Sequence, residues 1–496
     1  MFNKKLNCDK IFFVGCLYLT VVISSRKHSL HLDKGDPINQ FSLVSDLKNF
    51  SDAFSISEEI EKFLLSYFSR GFSVSCFEEK SLSDDAAVVG FRIQNANSFF
   101  FFCATNSKFK AGTFSYTNLT YLTAFLDLVN QSPADYPLVF LFHSGGVRIT
   151  QSRRLFNLVW GILPKLFFLN KKRIFISLAH EKCLGAAALF FGQAHFRIAS
   201  SSATLINLTG PGVIKRFYGN AENFSVYASA RHQNERNFLV HEITDGLSIS
   251  LARINQIIEY SSGTLNDWSE PVRLSDSEVS GDGITEALLR DSRQKLVLKQ
   301  VCDHFLEILP TMSAAGRTFL CSKNGKKFAV MMNPLDHAVN SISVKTVEHF
   351  LEALIIFKAL KLNLISIVDS PGGDPRQSNS DQNIICKTLT LVEALIDYPF
   401  KKIGLIAGRC YGGSGVLSLP TVHQSAGLYA LTQSKLGVMS DEVINSITSQ
   451  NLKTNAEWKK TAITHTSDFS DLIDEGVIKK VIPLEELSYF IDDFCK

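Results

Sequence analysis

Two kinds of segment alternate along this chain. Short apolar runs bounded by Gly, Pro, Ser or Asn read as buried strands over residues 98–104, 138–143, 173–178, 318–322, 328–332, 364–368 and 402–407. Longer stretches with apolar positions three and four apart read as helices: Ile56–Tyr67, with Ile60, Phe63, Leu64 and Tyr67 on one face, then Tyr116–Val129 and Ser292–Leu309. After Gly210 the pattern turns helical and polar. Strands alternating with helices of ten or more residues imply βαβ units, so the expected fold class is α/β with largely parallel sheets wrapped by helices.

The strands carry a repeated glycine spacing. Gly145, Gly185 and Gly210 are 40 and 25 residues apart, and so are Gly372, Gly412 and Gly437, each 227 residues further on. In both sets an apolar strand runs into a Gly-Gly turn, at Leu138-Val-Phe-Leu-Phe-His-Ser-Gly-Gly146 and Leu364-Ile-Ser-Ile-Val-Asp-Ser-Pro-Gly-Gly373. A second strand runs into Cys183-Leu-Gly-Ala-Ala187 or Cys410-Tyr-Gly-Gly-Ser414, and a third ends just before the last glycine. Matching strands at three matched points indicate two tandem copies of one domain.

A length of 496 residues suits two domains of about 200 residues each. The reading is an N-terminal segment of uncertain role at 1–84, a first domain at 85–260, a Ser/Gly/Asp-rich linker at 261–290 and a second domain at 291–496. A net charge of +3 gives no reason to invoke nucleic acid. The 10 cysteines include no C-x-x-C pair, so neither a zinc ribbon nor a disulfide framework is expected, and no metal. That pattern suits reduced thiols in a cytoplasmic protein. Against it, Lys4 and Lys5 precede an apolar run from Ile11 to Ser24, too short to span a bilayer comfortably. A signal peptide, a start placed too early and a small N-terminal strand all remain open for it.

A glycine directly after a buried strand lets the chain turn sharply and present N–H groups with no Cβ in the way. Where a helix follows, as after Gly185 and Gly412, those N–H groups sit near a helix N-terminus, suited to a developing oxyanion such as a thioester enolate. For one such turn alone, tight strand–helix packing is the better explanation. Two per half, at fixed spacing, favour chemistry.

These residues resemble the carboxyltransferase branch of the crotonase-like superfamily. His143-Ser-Gly-Gly-Val-Arg-Ile149, Lys182-Cys-Leu-Gly-Ala-Ala187 and Leu208-Thr-Gly-Pro-Gly-Val-Ile214 resemble the beta subunit of biotin-independent malonate decarboxylase. Ser292-Arg-Gln, Val368-Asp-Ser-Pro-Gly372, Ile406-Ala-Gly-Arg-Cys-Tyr-Gly-Gly413 and Val438-Met-Ser440 with Ile447-Thr448 resemble its gamma subunit. The resemblance implies two tandem crotonase-like domains with the active site between them. It implies decarboxylation of a malonyl thioester on an acyl carrier protein, the acyl group held by a CoA-like, phosphopantetheine-containing prosthetic group. It also implies further decarboxylase subunits as partners, a homo-oligomer, and no cofactor bound to the chain itself. Gly146, Gly185 and Ala186 would form one oxyanion hole and Gly373, Gly412 and Gly413 the other, with Gly145, Arg148, Gly210, Gly372 and Gly437 lining the substrate. A biotin-dependent acyl-CoA carboxyltransferase shares most of these motifs, and a non-catalytic scaffold descended from one is a third reading.

The departures concentrate in the first half. Ala186 stands where the family has Gly, His143 where it has an acidic residue, and Thr150-Gln151 where it has Gln-Glu, whereas Asp369 is retained. Ala supplies an N–H only if its position does not need a positive φ. Tyr411 and Cys183 are candidate proton donors, each with packing as the alternative; His143 and His180 carry the same two readings. Arg148 suits a substrate carboxylate or phosphate, or an ion pair that anchors its loop. Lys165, Lys171, Lys172 and Arg173, with Lys215 and Arg216, suit CoA phosphates or an acidic carrier, or simply a solvated face.

Overall fold

The computed structural model describes residues 41–77, 85–95, 99–134, 136–262, 292–310, 316–333, 341–418, 427–440, 443–444, 446 and 468–496. The apolar run 11–24, nearly all of the linker and the pair Ile447-Thr448 lie outside them. Residues from Gln40 onward form one of two compact units.

The first half runs β1 (Phe41–Leu43), α1 (Leu47–Ala53), α2 (Glu58–Phe68), β2 (Ser73–Phe77), β3 (Val88–Gln94), β4 (Phe99–Thr105), α3 (Tyr116–Gln131), β5 (Leu138–Ser144), α4 (Ser152–Asn170), β6 (Phe175–Leu184), α5 (Ala186–Gly192), β7 (Phe196–Ala199) and β8 (Leu205–Asn207). It closes with α6 (Pro211–Tyr218), α7 (Phe224–Tyr227), α8 (Ala230–Asn237), β9 (Glu242–Ile243) and α9 (Leu247–Ser262). The second runs α10 (Ser292–Val301), β10 (His304–Ile308), β11 (Arg317–Lys323), β12 (Lys326–Met332), α11 (Val344–Ala359), β13 (Asn363–Ser370), α12 (Gln377–Asp381), α13 (Ile384–Ile396) and β14 (Lys402–Tyr411). After it come a 3₁₀ turn (Gly412–Ser414), α14 (Gly415–Ser418), β15 (Leu428–Leu431), β16 (Lys435–Gly437), α15 (Ser470–Asp474), β17 (Ile478–Ile482) and α16 (Leu487–Cys495).

Among the described residues each half is one sheet. The first has the order β1-β2-β3-β4-β5-β6-β7-β9 with β8 beside β6; the second has β10-β11-β12-β13-β14-β15-β17 with β16 beside β14. Pairing is antiparallel up to β4 in one and β12 in the other, then parallel. The α/β expectation therefore holds, and so does the duplication. One element differs from expectation. The helix read over Ser292–Leu309 stops at Val301, and His304–Ile308 is a strand antiparallel to β11. Buried Glu307 on that strand pairs with buried Arg317, a partner ten residues on that helical spacing does not reveal.

Small devices repeat as well. Ser115 with Asn118 and Ser343 with Thr346 form capping boxes that start α3 and α11. The first N–H of each helix donates to a side-chain amide beyond the glycine turn, Tyr116 to Gln151 at 2.9 Å and Val344 to Asn379 at 3.0 Å. The hydrogen bonds and ion pairs between the halves run elsewhere. Glu352 on α11 accepts from Arg197 at 3.0 Å and faces His241 at 3.3 Å, Arg253 reaches the Glu307 carbonyl, and Tyr260 donates towards the Cys321 and Phe328 carbonyls.

Candidate active site

The two central strands of each half end alike. Phe142 lies opposite Ala179 and Ser144 opposite Cys183, so a bulge falls over residues 180–182; Val368 lies opposite Ile406 and Ser370 opposite Cys410, with the same bulge over 407–409. This register fixes the equivalences. Ser144 matches Ser370 at an offset of 226, Cys183 matches Cys410 at 227, and Asn207, opposite Leu184, matches Gly437, opposite Tyr411, at 230. The glycine spacing that revealed the duplication thus pairs correctly only at the middle turn. Gly145 corresponds to Pro371, and Gly210, the N-cap of α6, does not correspond to Gly437.

Gly146 and Gly372 are the true counterparts, at φ +97° and +126°. Each N–H donates to the serine two residues earlier, at 3.1 Å to Ser144 and 3.3 Å to Ser370. Each carbonyl accepts from the segment before α3 or α11, from Phe114 at 2.8 Å and Ile342 at 2.9 Å. A Cβ on Gly146 would lie 3.0 Å from the Leu184 carbonyl oxygen and one on Gly372 3.2 Å from that of Tyr411, so both positions need glycine for space and for backbone conformation. Gly185 and Gly412, at φ +62° and +49°, turn the second strand, and the Gly185 N–H donates to the Asn207 carbonyl at 2.9 Å.

These glycines shape the turns, and the free donors lie one residue beyond them. Val147 and Gly373 bridge Phe114 and Ile342 through their neighbours' backbone groups, leaving their own N–H groups pointing the other way. Ala186 is the first residue of α5, where an N–H has no acceptor within the helix, and Gly413 follows Gly412 in its turn. The N–H groups of Val147, Ala186, Gly373 and Gly413 find no acceptor among the described residues. A Cβ on Gly413 would lie 3.5 Å from the Gly373 nitrogen, so the two second-half donors are neighbours. Ala186 is not among the residues with positive φ; Gly185 takes that strain, so the Ala keeps a usable N–H. Val147 escaped the sequence reading because a β-branched residue carries no glycine signal.

The other candidates sort by their partners. Arg148 forms a two-pronged ion pair with Asp85, which also accepts from Ser115 at 2.8 Å, so its donors serve the loop. Arg173 is buried and donates to the carbonyls of Val129, Ser132 and Tyr136 at the end of α3. Lys165 pairs with Asp127 and Lys172 with Asn130, while Lys215 and Arg216 sit on α6, which buries none of its residues. Cys183 is fully buried, and burial pushes its thiol well above the usual range, so it is a protonated thiol packed in the core. Tyr411 is buried at the end of β14, and Gly145 donates its N–H to Ala111 at 3.1 Å. His180 meets the Ser200 hydroxyl at 2.8 Å, and burial lowers its pKa. Among the described residues no group of three or more His, Cys, Asp or Glu is arranged to hold a metal, and no helix is long and apolar enough to cross a membrane.

Around both turns lies an uncovered apolar face. Phe156, Trp160 and Phe167 are exposed on α4, and Ile385, Leu389 and Ile396 on α13, the second set 229 residues after the first at every position. Leu208 and Val213 beyond β8 are exposed, as are Val438 and Val443 beyond β16, at an offset of 230.

Sequence comparison agrees with this geometry where it reaches. Residues 339–481 match the carboxyl transferase domain family. The chain is similar to the propionyl-CoA carboxylase beta chain of Saccharopolyspora erythraea, at 22% identity over 56% of this chain and 54% of that protein. It is also similar to the biotin-dependent long chain acyl-coenzyme A carboxylase beta4 subunit of Mycobacterium tuberculosis, at 21% identity over 56% and 55%. The chain thus spans about half the length of the curated relatives it matches. In structure it is similar to transcarboxylase 12S with methylmalonyl-coenzyme A bound, at 17% identity and a TM-score of 0.66 over 82% of this chain and 81% of that one. A single-chain, multi-domain long-chain acyl-CoA carboxylase matches with a TM-score of 0.68 at 16% identity, over 91% of this chain and 50% of the other. The expected fold, two tandem α/β domains like those of carboxyltransferase structures, therefore stands. The relatives are acyl-CoA carboxylase beta chains; none of these matches is a malonate decarboxylase.

Proposed function

We propose that the chain moves a carboxyl group between an acyl-CoA thioester and biotin borne on a partner protein. The observation that carries this is the repeated pair of N–H donors, Val147 with Ala186 and Gly373 with Gly413, each at a strand end next to a turn and each without an acceptor among the described residues. Biotin, when bound, would supply the ureido nitrogen that takes up or gives up the carboxyl group and the ureido carbonyl oxygen on which charge develops. The chain's own part is electrostatic. One donor pair holds the thioester carbonyl as its oxygen gains charge; the other holds the second carbonyl. Preorganised donors of this sort are each worth a factor of about 10² to 10³ in rate.

Decarboxylation of a malonyl group on a carrier protein would use the same donors, but the relatives favour acyl-CoA and biotin. The scaffold reading loses one of its two motives, since Ala186 needs no positive φ. The second motive, the carboxylate missing from the loop at Thr150-Gln151, is untouched by this. The matched apolar stripes on α4 and α13 suit a twofold pairing of two copies, in which the first-half turn of one faces the second-half turn of the other.

The test is an assay of the purified protein with malonyl-CoA or methylmalonyl-CoA, with and without free biotin. Release of the decarboxylated acyl-CoA only when biotin is present supports the proposal. Release of CO2 that ignores biotin and avidin restores the malonyl decarboxylase reading, and absence of any acyl-CoA binding by calorimetry leaves a scaffold.

A further inference from the structure

The bulge next to each donor pair is tied to the neighbouring strand by an ion pair, and the two ties have opposite polarity. In the second half the strand supplies the carboxylate. Asp369 accepts from the Arg409 N–H at 2.8 Å and from its Nε at 2.9 Å. Gly408 leaves room for this: a Cβ there would lie 2.5 Å from the Asp369 carboxyl carbon. In the first half the strand supplies an imidazole. His143 stands in the place of Asp369, with Nδ1 3.0 Å from Glu59 and Nε2 3.1 Å from Glu181, the counterpart of Gly408. Glu181 adopts a left-handed φ of +53°, uncommon for a residue with a side chain, and so turns its carboxylate towards the ring.

We propose that His143 is a positioning residue whose proton clamps the first-half bulge, so that the Val147–Ala186 donors respond to pH while the Gly373–Gly413 donors do not. The hydrogen-bond geometry sets this up. A carboxylate can only accept, so carboxylates at both ring nitrogens are satisfied together only when both nitrogens carry hydrogen. Removing one proton leaves a lone pair facing a carboxylate. Histidine is the side chain whose charge ordinarily changes between about pH 5 and 8, whereas an Asp–Arg pair keeps both charges there. The groups around the ring are Glu59 and Lys62 from α2 and His180 and Glu181 from β6, the His180 ring lying 5.5 Å away edge to face. Burial works to raise the Glu59 pKa, but hydrogen bonds from His143 and Ser107 outweigh it and hold it at about 2, so Glu59 stays a carboxylate through the neutral range. Its charge enters from α2, before the first parallel strand, and nothing among the described residues plays that part beside Asp369.

Functionally this rests on the donor reading above, but its test needs no substrate. Amide hydrogen exchange of the full chain, corrected for the intrinsic pH dependence of exchange, compares peptides over 178–187 with peptides over 405–414 at about pH 5.5 and 8.5. Protection of the first segment should fall by roughly three- to tenfold on going to high pH, while the second moves by less than about twofold. Glu181→Gln is at an exposed position that should tolerate the change, and it should flatten the response. The quadruple change Glu59→Gln, His143→Asp, Glu181→Gly and Lys182→Arg, which copies the second-half tie and removes the carboxylate that has no counterpart there, should keep protection and remove the response. Equal behaviour of the two segments, or an unchanged response in Glu181→Gln, overturns the proposal. Neither result depends on whether any thioester is turned over, so the clamp and the proposed activity fail separately.

Discussion

The two halves share a backbone and differ in what guards it. Ser144 and Ser370 sit at matched positions and hold Gly146 and Gly372 in the same unusual conformation. Around that common frame the second half is open, with Gly373 and Gly413 both exposed, while in the first Val147 is half-buried and Ala186 buried. The second half uses a permanent ion pair to tie its bulge; the first uses a histidine between two glutamates. The difference teaches that duplication preserves what main-chain geometry demands and frees the side chains that merely support it.

Deleting a donor separates the halves most strongly. Ala186→Pro removes the N–H at the first position of α5, where proline's fixed φ is tolerated, and Gly413→Pro does the same in the second half. Each should lower the carboxyl-transfer rate by about 10² to 10³ with the circular dichroism spectrum unchanged. A loss in one half alone would show that only that turn holds reacting charge.

Acid should act next. Glu59 and Glu352 are both held at about 2, in each case because hydrogen bonds to histidine, and for Glu352 the Arg197 charge as well, outweigh the upward push of burial. His241 is lowered to about 4, and His195 and His349 to about 3, by burial first and then by nearby cations. For a depressed carboxylate the stability is present above about pH 4.5 and lost as pH falls towards 2; for these histidines the unfolded chain takes up protons first, so stability is lost as pH falls from about 6.5 towards 3. Unfolding free energies from denaturant titrations should therefore drop steadily from pH 7 to pH 4, by several kcal/mol in all, and the midpoints with them. Midpoints that stay level would mean that the junction between the halves is not held by this buried network.

Smaller changes sharpen the comparison. Gly146→Ala and Gly372→Ala each force a side chain into a positive φ and against a carbonyl, which should cost about 1–3 kcal/mol of stability, equally in both halves. Unequal costs would contradict the register that makes these two glycines counterparts. Smallest of all, Gly413→Ala introduces the methyl that Ala186 already carries, in ordinary contact with the Gly373 nitrogen. It should change KM more than kcat and by less than about tenfold, and Ala186→Gly should move the first half the other way.

Much of this was legible in the sequence because it depends on local pattern. The parallel strands, the long helices and the duplication follow from apolar periodicity and from glycines that strand ends require. What the sequence could not place was register. The stretch from Phe142 to its partner Ala179 is one residue shorter than that from Val368 to Ile406, so equal glycine spacing pairs Gly145 with Gly372 where the strands pair Gly146 with it, and the glycine signal falls on Gly146 rather than on Val147. Long-range ion pairs were hidden for the same reason. Arg173 and Arg148 look like anion binders until Val129 and Asp85 are seen beside them, and His143 gains its meaning only from Glu59, brought from a helix 84 residues earlier.

The central claim is that one donor pair from each half meets the same substrate, across two copies of the chain. Mixing two inactive variants tests it directly. Ala186→Pro and Gly413→Pro, unfolded together and refolded as an equimolar mixture, form mixed dimers in which one of two sites is intact. Carboxyl transfer should return to about a quarter of the wild-type level, although each variant alone stays at a hundredth or below. If the mixture stays as inactive as its parts, the two donor pairs do not come together between copies, and the account is wrong.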